Sequence, residues 1–342
     1  MAETTPTAKC LVAPFAYPGG KRRVVDMVWS RFGDVDNYVE PFCGSAAMLL
    51  GAPPGKRYEI INDLNGFIVN FWRAVKADPE AVARWADYPV SELDLNSRHG
   101  WLFARADRLT WCLEDPDFFD AKIAGWWVWG MCCVPNGFCC QKGNTVLEQG
   151  VHFGTVDDLR GFNRRMPDLR GDHAIGLSKS EITDGVSRTD FIRQWIRELS
   201  CRLRDVKIAC GDWVRILRQP YTTKIGLTAI FFDPPYSAPG VNRAIYMHFD
   251  DVAIEVAKWC AENGDNPKLR IALCGYEGEH NMPEGWTCVG WHDDRPDRHK
   301  LKGKSIRERI WFSPHCLPGR TVTRELFDAV EENEATAEAE HD

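Results

Sequence analysis

The stretch LTAIFFDPPY, residues 227–236, decides the fold. Its first six residues are apolar apart from one threonine, which predicts a buried β-strand that ends at Asp233. Pro234 and Pro235 cannot carry a helix on from that point, and Tyr236 adds an aromatic ring. A buried strand with a polar tip is typical of a parallel sheet whose ligands lie at the carboxyl ends of its strands.

The tip of this strand can hold one flat, polar group. Asp233 can accept a hydrogen bond from an exocyclic amine, a carbonyl of the rigid Pro234-Pro235 backbone can accept a second, and Tyr236 can stack on the ring that carries the amine. These four candidate catalytic residues fit an amino group on a nucleobase. An ordinary strand-to-loop turn is the alternative, because Asp-Pro and Pro-Pro are common in loops.

Apolar runs that end in a turn recur along the chain and predict further strands. These strands cover residues 37–42, 57–62, 206–210, 269–274, 286–291 and 309–313. Helical patterns follow the first strand at residues 46–50 and precede the fifth at about residues 252–260. This alternation predicts an α/β protein with a doubly wound, Rossmann-like, mostly parallel sheet.

Residues 66–205 follow helical periodicities and contain eight of the chain's 14 tryptophans. No crossover between sheet strands needs that much chain, so we predict an inserted, mostly helical domain. The catalytic sheet domain is assigned to residues 10–65 and 206–318. Residues 319–342 are predicted to be an acidic disordered tail, because they have too little apolar surface to offset the entropy lost on ordering.

Composition indicates an ordinary globular protein. The 342 residues are 44% hydrophobic and 27% charged. No apolar run approaches the roughly 20 residues of a membrane span, and the first residues lack a signal-peptide pattern. We therefore expect a cytoplasmic protein without membrane contact, in which the 13 cysteines are reduced thiols.

The net charge of −7 is unevenly distributed. Residues 324–342 hold eight acids and one base, so the rest of the chain is neutral. Within that neutral part, residues 295–309 hold seven bases and two acids. A neutral body with one basic segment is compatible with binding to a DNA duplex, and a solvated charged loop is the alternative.

Two phosphate-binding motifs are missing. The turn EPFCGS at residues 40–45 lacks the Gly-x-Gly-x-x-Gly spacing of a dinucleotide site, although Gly44 still lets the backbone approach a ligand closely. Gly19-Gly20-Lys21 lacks the spacing of a phosphate loop, and a plain turn before a helix is its alternative reading. Nicotinamide-dependent and nucleoside-triphosphatase activities are therefore not supported.

Four motifs, taken together and in order, resemble the Dam-like DNA adenine-N6 methyltransferases, the D12 class with the alpha-type motif order. The motifs are FAYPGGK at residues 15–21, VEPFCGSA at residues 39–46, IINDLN at residues 60–65 and DPPY at residues 233–236. The resemblance covers nearly all of residues 14–314. It implies an adenine-specific DNA methyltransferase that uses S-adenosyl-L-methionine and acts on an adenine flipped out of double-stranded DNA.

The resemblance also implies the cofactor site. The turn after the first strand lies under the methionine part, Asp63 holds the ribose hydroxyls and Asp212 meets the adenine edge, while Tyr17 and Lys21 contact the cofactor. The full predicted set is Tyr17, Gly19, Gly20, Lys21, Glu40, Pro41, Phe42, Cys43, Gly44, Ser45, Asp63, Asp212 and Asp233. Methyl transfer then depends on positioning and electrostatics and needs no covalent enzyme intermediate.

Part of the inserted domain resembles the family's target-recognition domain. Asn136-Gly137-Phe138 and Phe153-Gly154 correspond to landmarks that flank a DNA-entering loop, but Cys140 stands where GATC-specific relatives have a guanine-reading arginine. This departure predicts non-GATC or relaxed specificity. The predicted DNA contacts are Asn136, Gly137, Phe138, Cys140, Lys142, Arg298, Lys300, Lys302 and Lys304.

Alternatives remain at this point. Adjacent cysteine pairs at residues 132–133 and 139–140 suggest zinc, but structural zinc sites usually space each pair as Cys-x2-4-Cys, so no metal is assigned. The other candidate functions are a cytosine-N4 or RNA adenine methyltransferase and a non-catalytic, cysteine-rich nucleic-acid-binding protein. Aspartate rather than serine before Pro-Pro-Tyr favours adenine. We expect a monomer that binds duplex DNA, and the sequence leaves open an associated restriction nuclease.

Overall fold

The computed structural model describes residues 11–15, 20–89, 92–133, 187–217, 226–236, 252–291 and 308–319. These residues form one seven-stranded sheet with the order β3-β2-β1-β4-β5-β7-β6. The strands are β1 (Asn37–Glu40), β2 (Tyr58–Asp63), β3 (Lys207–Cys210), β4 (Thr228–Phe232), β5 (Leu269–Tyr276), β6 (Thr287–Trp291) and β7 (Glu308–Phe312). The predicted α/β, Rossmann-like class is confirmed.

Helices cover both faces of this sheet. They are α1 (Val25–Phe32), α2 (Ala47–Leu50), α3 (Gly66–Ala77), α4 (Pro79–Ala86), α5 (Glu92–Phe103), α6 (Ala106–Cys112), α7 (Ala121–Cys133), α8 (Arg188–Leu203), α9 (Trp213–Leu217) and α10 (Val252–Asn263). Within the described ranges, no helix is both long and apolar enough to cross a membrane.

The strand directions set which residues meet at the edge where ligands bind. Strands β1 to β5 pair in parallel. Strand β7 runs antiparallel to both of its neighbours, with Glu308 opposite Tyr276 in β5 and opposite Trp291 in β6. Because β7 is reversed, its first residue lies at the edge where the parallel strands end.

Apolar side chains bury both faces of the sheet. Along β4, Ala229 and Phe231 belong to one apolar cluster, whereas Ile230 and Phe232 belong to a second, as the alternation of side chains along a strand requires. Helices α1 to α8 contribute to the first cluster, and α9 and α10 contribute to the second. With both faces covered, the carboxyl edge is the accessible place for a ligand.

The predicted strands agree with the observed ones within about two residues, with two small corrections in the first turn. The first strand, predicted over residues 37–42, ends at Glu40 because the chain turns there. The following helix, predicted to begin at Ala46, begins at Ala47 because Ala46 has left-handed backbone angles, with φ 51°.

Three helices within residues 66–205, the predicted insertion, share a core with the sheet. Phe71 and Trp72 of α3, Trp127 of α7 and Leu199 of α8 lie in the same apolar cluster as Tyr38 of β1. This shared core packs α3, α7 and α8 against the sheet. The domain boundaries drawn from the sequence stay a prediction.

Candidate active site

The carboxyl ends of β1 to β4 border one cavity of about 410 Å³, a size typical of small-molecule sites. Its wall contains every predicted cofactor-binding and catalytic residue that the structure describes: Gly20, Lys21, Glu40, Pro41, Phe42, Cys43, Gly44, Ser45, Asp63, Asp212, Asp233, Pro234, Pro235 and Tyr236. Tyr17 and Gly19 lie outside the described residues. The remaining residues, up to about 200 positions apart in sequence, meet at one site.

Asp63 holds the turn that follows β1. The backbone N–H of Gly44 donates to Asp63 Oδ2 at 3.0 Å, and the N–H of Asn65 donates to Oδ1 at 2.9 Å. Gly44 and Ala46 both have positive φ angles, 44° and 51°. Glycine adopts this conformation readily, whereas an alanine there costs about 1 kcal/mol or more. A strained turn fixed by a carboxylate is typical of a ligand-binding loop.

Asn62 and Trp72 also hold the turn that follows β1. Asn62 Nδ2 donates to the carbonyl oxygens of Pro41 at 3.0 Å and of Gly211 at 2.8 Å, which joins the turns after β1 and β3. Trp72 Nε1 donates to Gly44 O at 3.0 Å. Neither residue was assigned a role from the sequence. Asn62 could have been noticed in the sequence, because it follows the apolar residues of a predicted strand. A buried amide needs hydrogen-bond partners, so its position predicts that it holds neighbouring backbone groups.

Two carboxyl groups in the wall are buried enough to titrate far above their usual range. Burial raises the pKa of Asp63 to about 6, although hydrogen bonds from backbone amides oppose the rise. Burial also raises the pKa of Glu40 to about 8. Glu40 Oε2 accepts hydrogen bonds from Tyr38 Oη at 3.0 Å and from Leu49 N at 3.2 Å. A cationic ligand would favour the ionised form of both groups.

Asp233 is the centre of a charged cluster at the tip of β4. Lys21 Nζ lies 3.0 Å from Asp233 Oδ1, and Tyr236 Oη donates to the same oxygen at 2.9 Å. Burial lowers the pKa of Lys21, but the negative charges of Asp233 and Glu308 contribute to a larger rise, so the pKa is raised and the ammonium stays charged. Both contacts are made to Oδ1, so neither of them occupies the second oxygen of Asp233, Oδ2.

Tyr236 is more enclosed than a free stacking surface would be. Tyr236 is 6% exposed, and its ring packs edge-on against Tyr276, with 4.6 Å between ring centroids. Burial raises the pKa of Tyr236, so its hydroxyl stays protonated and donates to Asp233. The ring still lines the cavity. Its predicted stacking on a flipped base stays a prediction.

Helix α6 and strand β7 add residues that were not assigned from the sequence. Asp107 and Thr110 of α6 line the cavity, although they belong to the predicted insertion. A side chain at Gly66 would meet Thr110 Oγ1 at 3.0 Å, so this glycine lets α6 approach α3 closely. Glu308 Oε2 lies 3.5 Å from Lys21 Nζ. These contacts depend on tertiary packing, which sequence periodicity does not encode.

The charge of the described wall is strongly negative. Six lining residues carry carboxyl groups and one, Lys21, carries an amine; the six are Glu40, Asp63, Asp107, Asp212, Asp233 and Glu255. Such a wall repels phosphate groups and attracts a ligand with positive charge. The carboxyl groups of the wall therefore disfavour a phosphate-containing ligand, as does the lack of phosphate-binding motifs in the sequence.

The predicted DNA contacts cannot be placed at this site. Asn136, Gly137, Phe138, Cys140, Lys142, Arg298, Lys300, Lys302 and Lys304 all lie outside the described residues. Of the four clustered cysteines, Cys132 is buried, with Sγ 3.0 Å from Pro14 O. Among the described residues, no three His, Cys, Asp or Glu side chains are placed to hold a metal ion.

Comparison with known families supports the same site. Residues 17–123 match the model of the D12 class N6 adenine-specific DNA methyltransferase family. The matched range includes the turn after β1, Asp63 and helix α6, and it confirms the resemblance seen in the sequence motifs. The match supports DNA adenine methylation as the activity. No curated protein matches the chain.

The family match ends at residue 123, well before β4. Asp233 and Tyr236 are therefore assigned to the cavity by the structure and not by the match. Both residues line the same cavity as residues of the matched range and contact one of them, Lys21. The DPPY motif thus completes a site whose other half carries the family match.

Proposed function

We propose that the protein is an S-adenosylmethionine-dependent methyltransferase that modifies the N6 amine of an adenine flipped out of double-stranded DNA. One observation carries this proposal: a single acid-lined cavity joins the turn held by Asp63 to the tip formed by Asp233 and Tyr236. The family match over residues 17–123 supports the reaction.

The residues of the cavity fit this cofactor. S-adenosylmethionine, when bound, supplies an electrophilic methyl group on a positively charged sulfur. The carboxyl-rich wall favours that charge, and the open turn at Gly44 lets backbone groups approach the methionine part. Asp63 would accept from the ribose hydroxyls. Asp212 Oδ1 accepts from Val214 N at 2.8 Å, so its second oxygen would serve the adenine edge.

The tip of β4 fits an exocyclic amine. Lys21 and Tyr236 both bind Asp233 Oδ1, which orients the carboxylate and leaves Oδ2 to accept one N–H of the amine. The carbonyl oxygen of Pro234 would accept the other. Two such hydrogen bonds draw the amine hydrogens to one side, so that the nitrogen lone pair faces the methyl group. This positioning matters because the lone pair is otherwise delocalised into adenine.

The remaining roles rest on the sequence. A stacked base cannot reach this cavity, so the adenine must leave the duplex, and Tyr236 would contact it there. The loop that contains Asn136 to Lys142 and the basic segment that contains Arg298 to Lys304 would bind the duplex. We propose that the protein acts as a monomer on duplex DNA, with a restriction nuclease as a candidate partner.

Modified bases in cellular DNA test the proposed activity. The protein and its Asp233→Asn variant are expressed in cells that lack adenine methylation, and genomic DNA is read by single-molecule sequencing. We expect modified adenines only with the wild-type protein. Modified cytosines, or signals that are equal in both strains, contradict the proposal.

Specificity is expected to differ from strict GATC recognition. Guanine is most often read by a bidentate arginine, which contributes about 1–3 kcal/mol of discrimination, and Cys140 has neither the reach nor the paired donors. A plasmid pool is methylated and then digested with enzymes that distinguish methylated from unmodified GATC. Protection at adenines outside GATC is the expected result. Protection confined to GATC sites shows that the assignment of Cys140 is wrong.

Cofactor affinity is expected to fall when the pH is lowered from 7 to 5. Since the pKa of Asp63 is about 6, its carboxylate is protonated below that pH and no longer accepts two hydroxyl donors. The α-carboxyl and α-amino groups of the cofactor do not titrate in this interval. The Kd should rise about tenfold between pH 7 and pH 5. Calorimetry measures this rise, and Asp63→Asn should abolish it. A Kd that does not change with pH contradicts the assignment.

A further inference from the structure

Glu308 lies beside Lys21, a residue of the cavity wall, although its strand is not next to β4. It is the first residue of β7 and stands opposite Tyr276 and Trp291 in the two neighbouring strands. These three residues form a row across the carboxyl edge of the sheet. Lys21 lies beside this row, with Nζ 3.5 Å from Glu308 Oε2 and 5.9 Å from the centroid of the Trp291 ring.

Lys21 is shared between two carboxylates. Its ammonium lies 3.0 Å from Asp233 Oδ1 and 3.5 Å from Glu308 Oε2, and only 3% of its side chain is exposed. Water screens a buried ammonium poorly, so the two carboxylates, whose side chains are 21% and 24% exposed, respond to its position. The three groups together carry a charge of −1, whereas Lys21 and Asp233 alone would be neutral.

We propose that Glu308 is a positioning residue that shares Lys21 with Asp233 and thereby keeps Asp233 a strong acceptor for the substrate amine. This inference rests on the proposed function, in which the amine is the methyl acceptor. Glu308 acts through Lys21 and needs no contact with the substrate.

The charge of Glu308 also suits the reaction. During methyl transfer, the bond from carbon to sulfur breaks as the bond from carbon to nitrogen forms, so positive charge passes to the amine nitrogen, which then loses a proton to water. The cluster of Lys21, Asp233 and Glu308, with its charge of −1, stabilises that positive charge better than the neutral pair of Lys21 and Asp233 would. Without the charge of Glu308, Lys21 would interact more strongly with Asp233 and would weaken the hydrogen bond from the amine to Asp233.

The first experiment replaces Glu308 by glutamine, which keeps the size of the side chain and removes its charge. We expect kcat for DNA methylation to fall about 10- to 100-fold, the range that one hydrogen bond to a charged group produces. The Kd for S-adenosylmethionine should change less than about twofold, since Glu308 is absent from the cavity wall as described. Glu277→Gln is the matched control, because Glu277 pairs with Arg309 in the same strand as Glu308 and is half exposed. This control should leave kcat unchanged.

A double-mutant cycle separates action through Lys21 from a general structural role. If Glu308 acts through Lys21, then Glu308→Gln should have little further effect on kcat in a Lys21→Gln background. An equal loss in both backgrounds overturns the inference. Wild-type kcat in Glu308→Gln, or a loss explained by a lower melting temperature and less folded protein, overturns it as well.

An NMR measurement keeps this inference testable apart from the activity. In protein labelled with 15N-lysine, Glu308→Gln should shift the ammonium signal of Lys21 and speed the exchange of its protons, whereas Glu277→Gln should change neither. An unchanged Lys21 signal overturns the proposed ion pair. A wild-type protein that does not methylate DNA while Lys21 responds to Glu308→Gln counts against the proposed function and leaves the ion pair supported.

Discussion

Replacing Asp233 by asparagine is expected to lower the rate of methyl transfer about a thousandfold or more, because the variant removes the charged acceptor that positions the amine. The substitution keeps the shape of the side chain, and Lys21 retains Glu308 as a partner at 3.5 Å. The protein should therefore stay folded. Incorporation of tritiated methyl groups into duplex DNA, measured in a single turnover, gives the rate.

A milder substitution in the same cluster is expected to give a smaller loss of rate. Tyr236→Phe removes the hydroxyl that donates to Asp233 Oδ1 at 2.9 Å and keeps the ring. We expect a loss of about tenfold, since one neutral donor contributes about 0.5–1.5 kcal/mol. If the Asp233→Asn variant transfers methyl groups at a rate near that of the wild type, Asp233 has no part in the reaction. That conclusion holds whatever the rate of Tyr236→Phe is.

Replacing Asp63 by alanine is expected to weaken the binding of S-adenosylmethionine by about 10- to 100-fold. The carboxylate is predicted to accept from the ribose, and a hydrogen bond to a charged group contributes about 1.5–3 kcal/mol. It also accepts from Gly44 N and Asn65 N, so its loss frees the turn that would face the methionine part. Calorimetry gives the dissociation constant.

Asp205→Ala is the matched control for that measurement. Asp205 is an exposed aspartate just before β3, at the edge of the sheet opposite the cavity. The control variant should bind the cofactor as tightly as the wild type does. If Asp63→Ala binds equally tightly, the cofactor does not use the turn between β1 and α2, and the assignment of the site is wrong.

The strands of the parallel sheet were predictable because each is a short apolar run that stops at a polar residue. The run before Asp233 predicted a strand ending there, and β4 covers Thr228–Phe232. Parallel strands buried on both faces show such runs, and their carboxyl ends meet at one edge. For that reason the residues that follow them, including Asp63 and Asp212, could be assigned to one site from the sequence alone.

Glu308 could not be placed in the same way. Its strand was predicted from residues 309–313, but the sequence does not state that β7 inserts between β5 and β6 in antiparallel pairing. That order alone brings Glu308 to the edge that carries Asp233. Ala46 is a second case, because its left-handed backbone opposes the preference of alanine and is imposed by the surrounding turn.

The contribution of α6 to the cavity could not be predicted from the sequence for a related reason. A strongly helical segment with many tryptophans predicted an inserted domain, and two of its residues, Phe71 and Trp127, pack in the same apolar cluster as Tyr38 of the sheet. Arg73 of α3 donates to the carbonyl oxygens of Ile208 and Asp115, which ties β3 to the loop after α6. Such long-range contacts bring Asp107 to the cavity, and no local pattern records them.

Nucleoside mass spectrometry tests the central claim most directly. Duplex DNA and RNA are incubated separately with the purified protein and S-adenosylmethionine that carries a deuterated methyl group, and the nucleic acid is then digested to nucleosides. We expect deuterated N6-methyladenine from duplex DNA with the wild-type protein and none with Asp233→Asn. Deuterium in N4-methylcytosine, in RNA nucleosides, or in none of the products contradicts the claim.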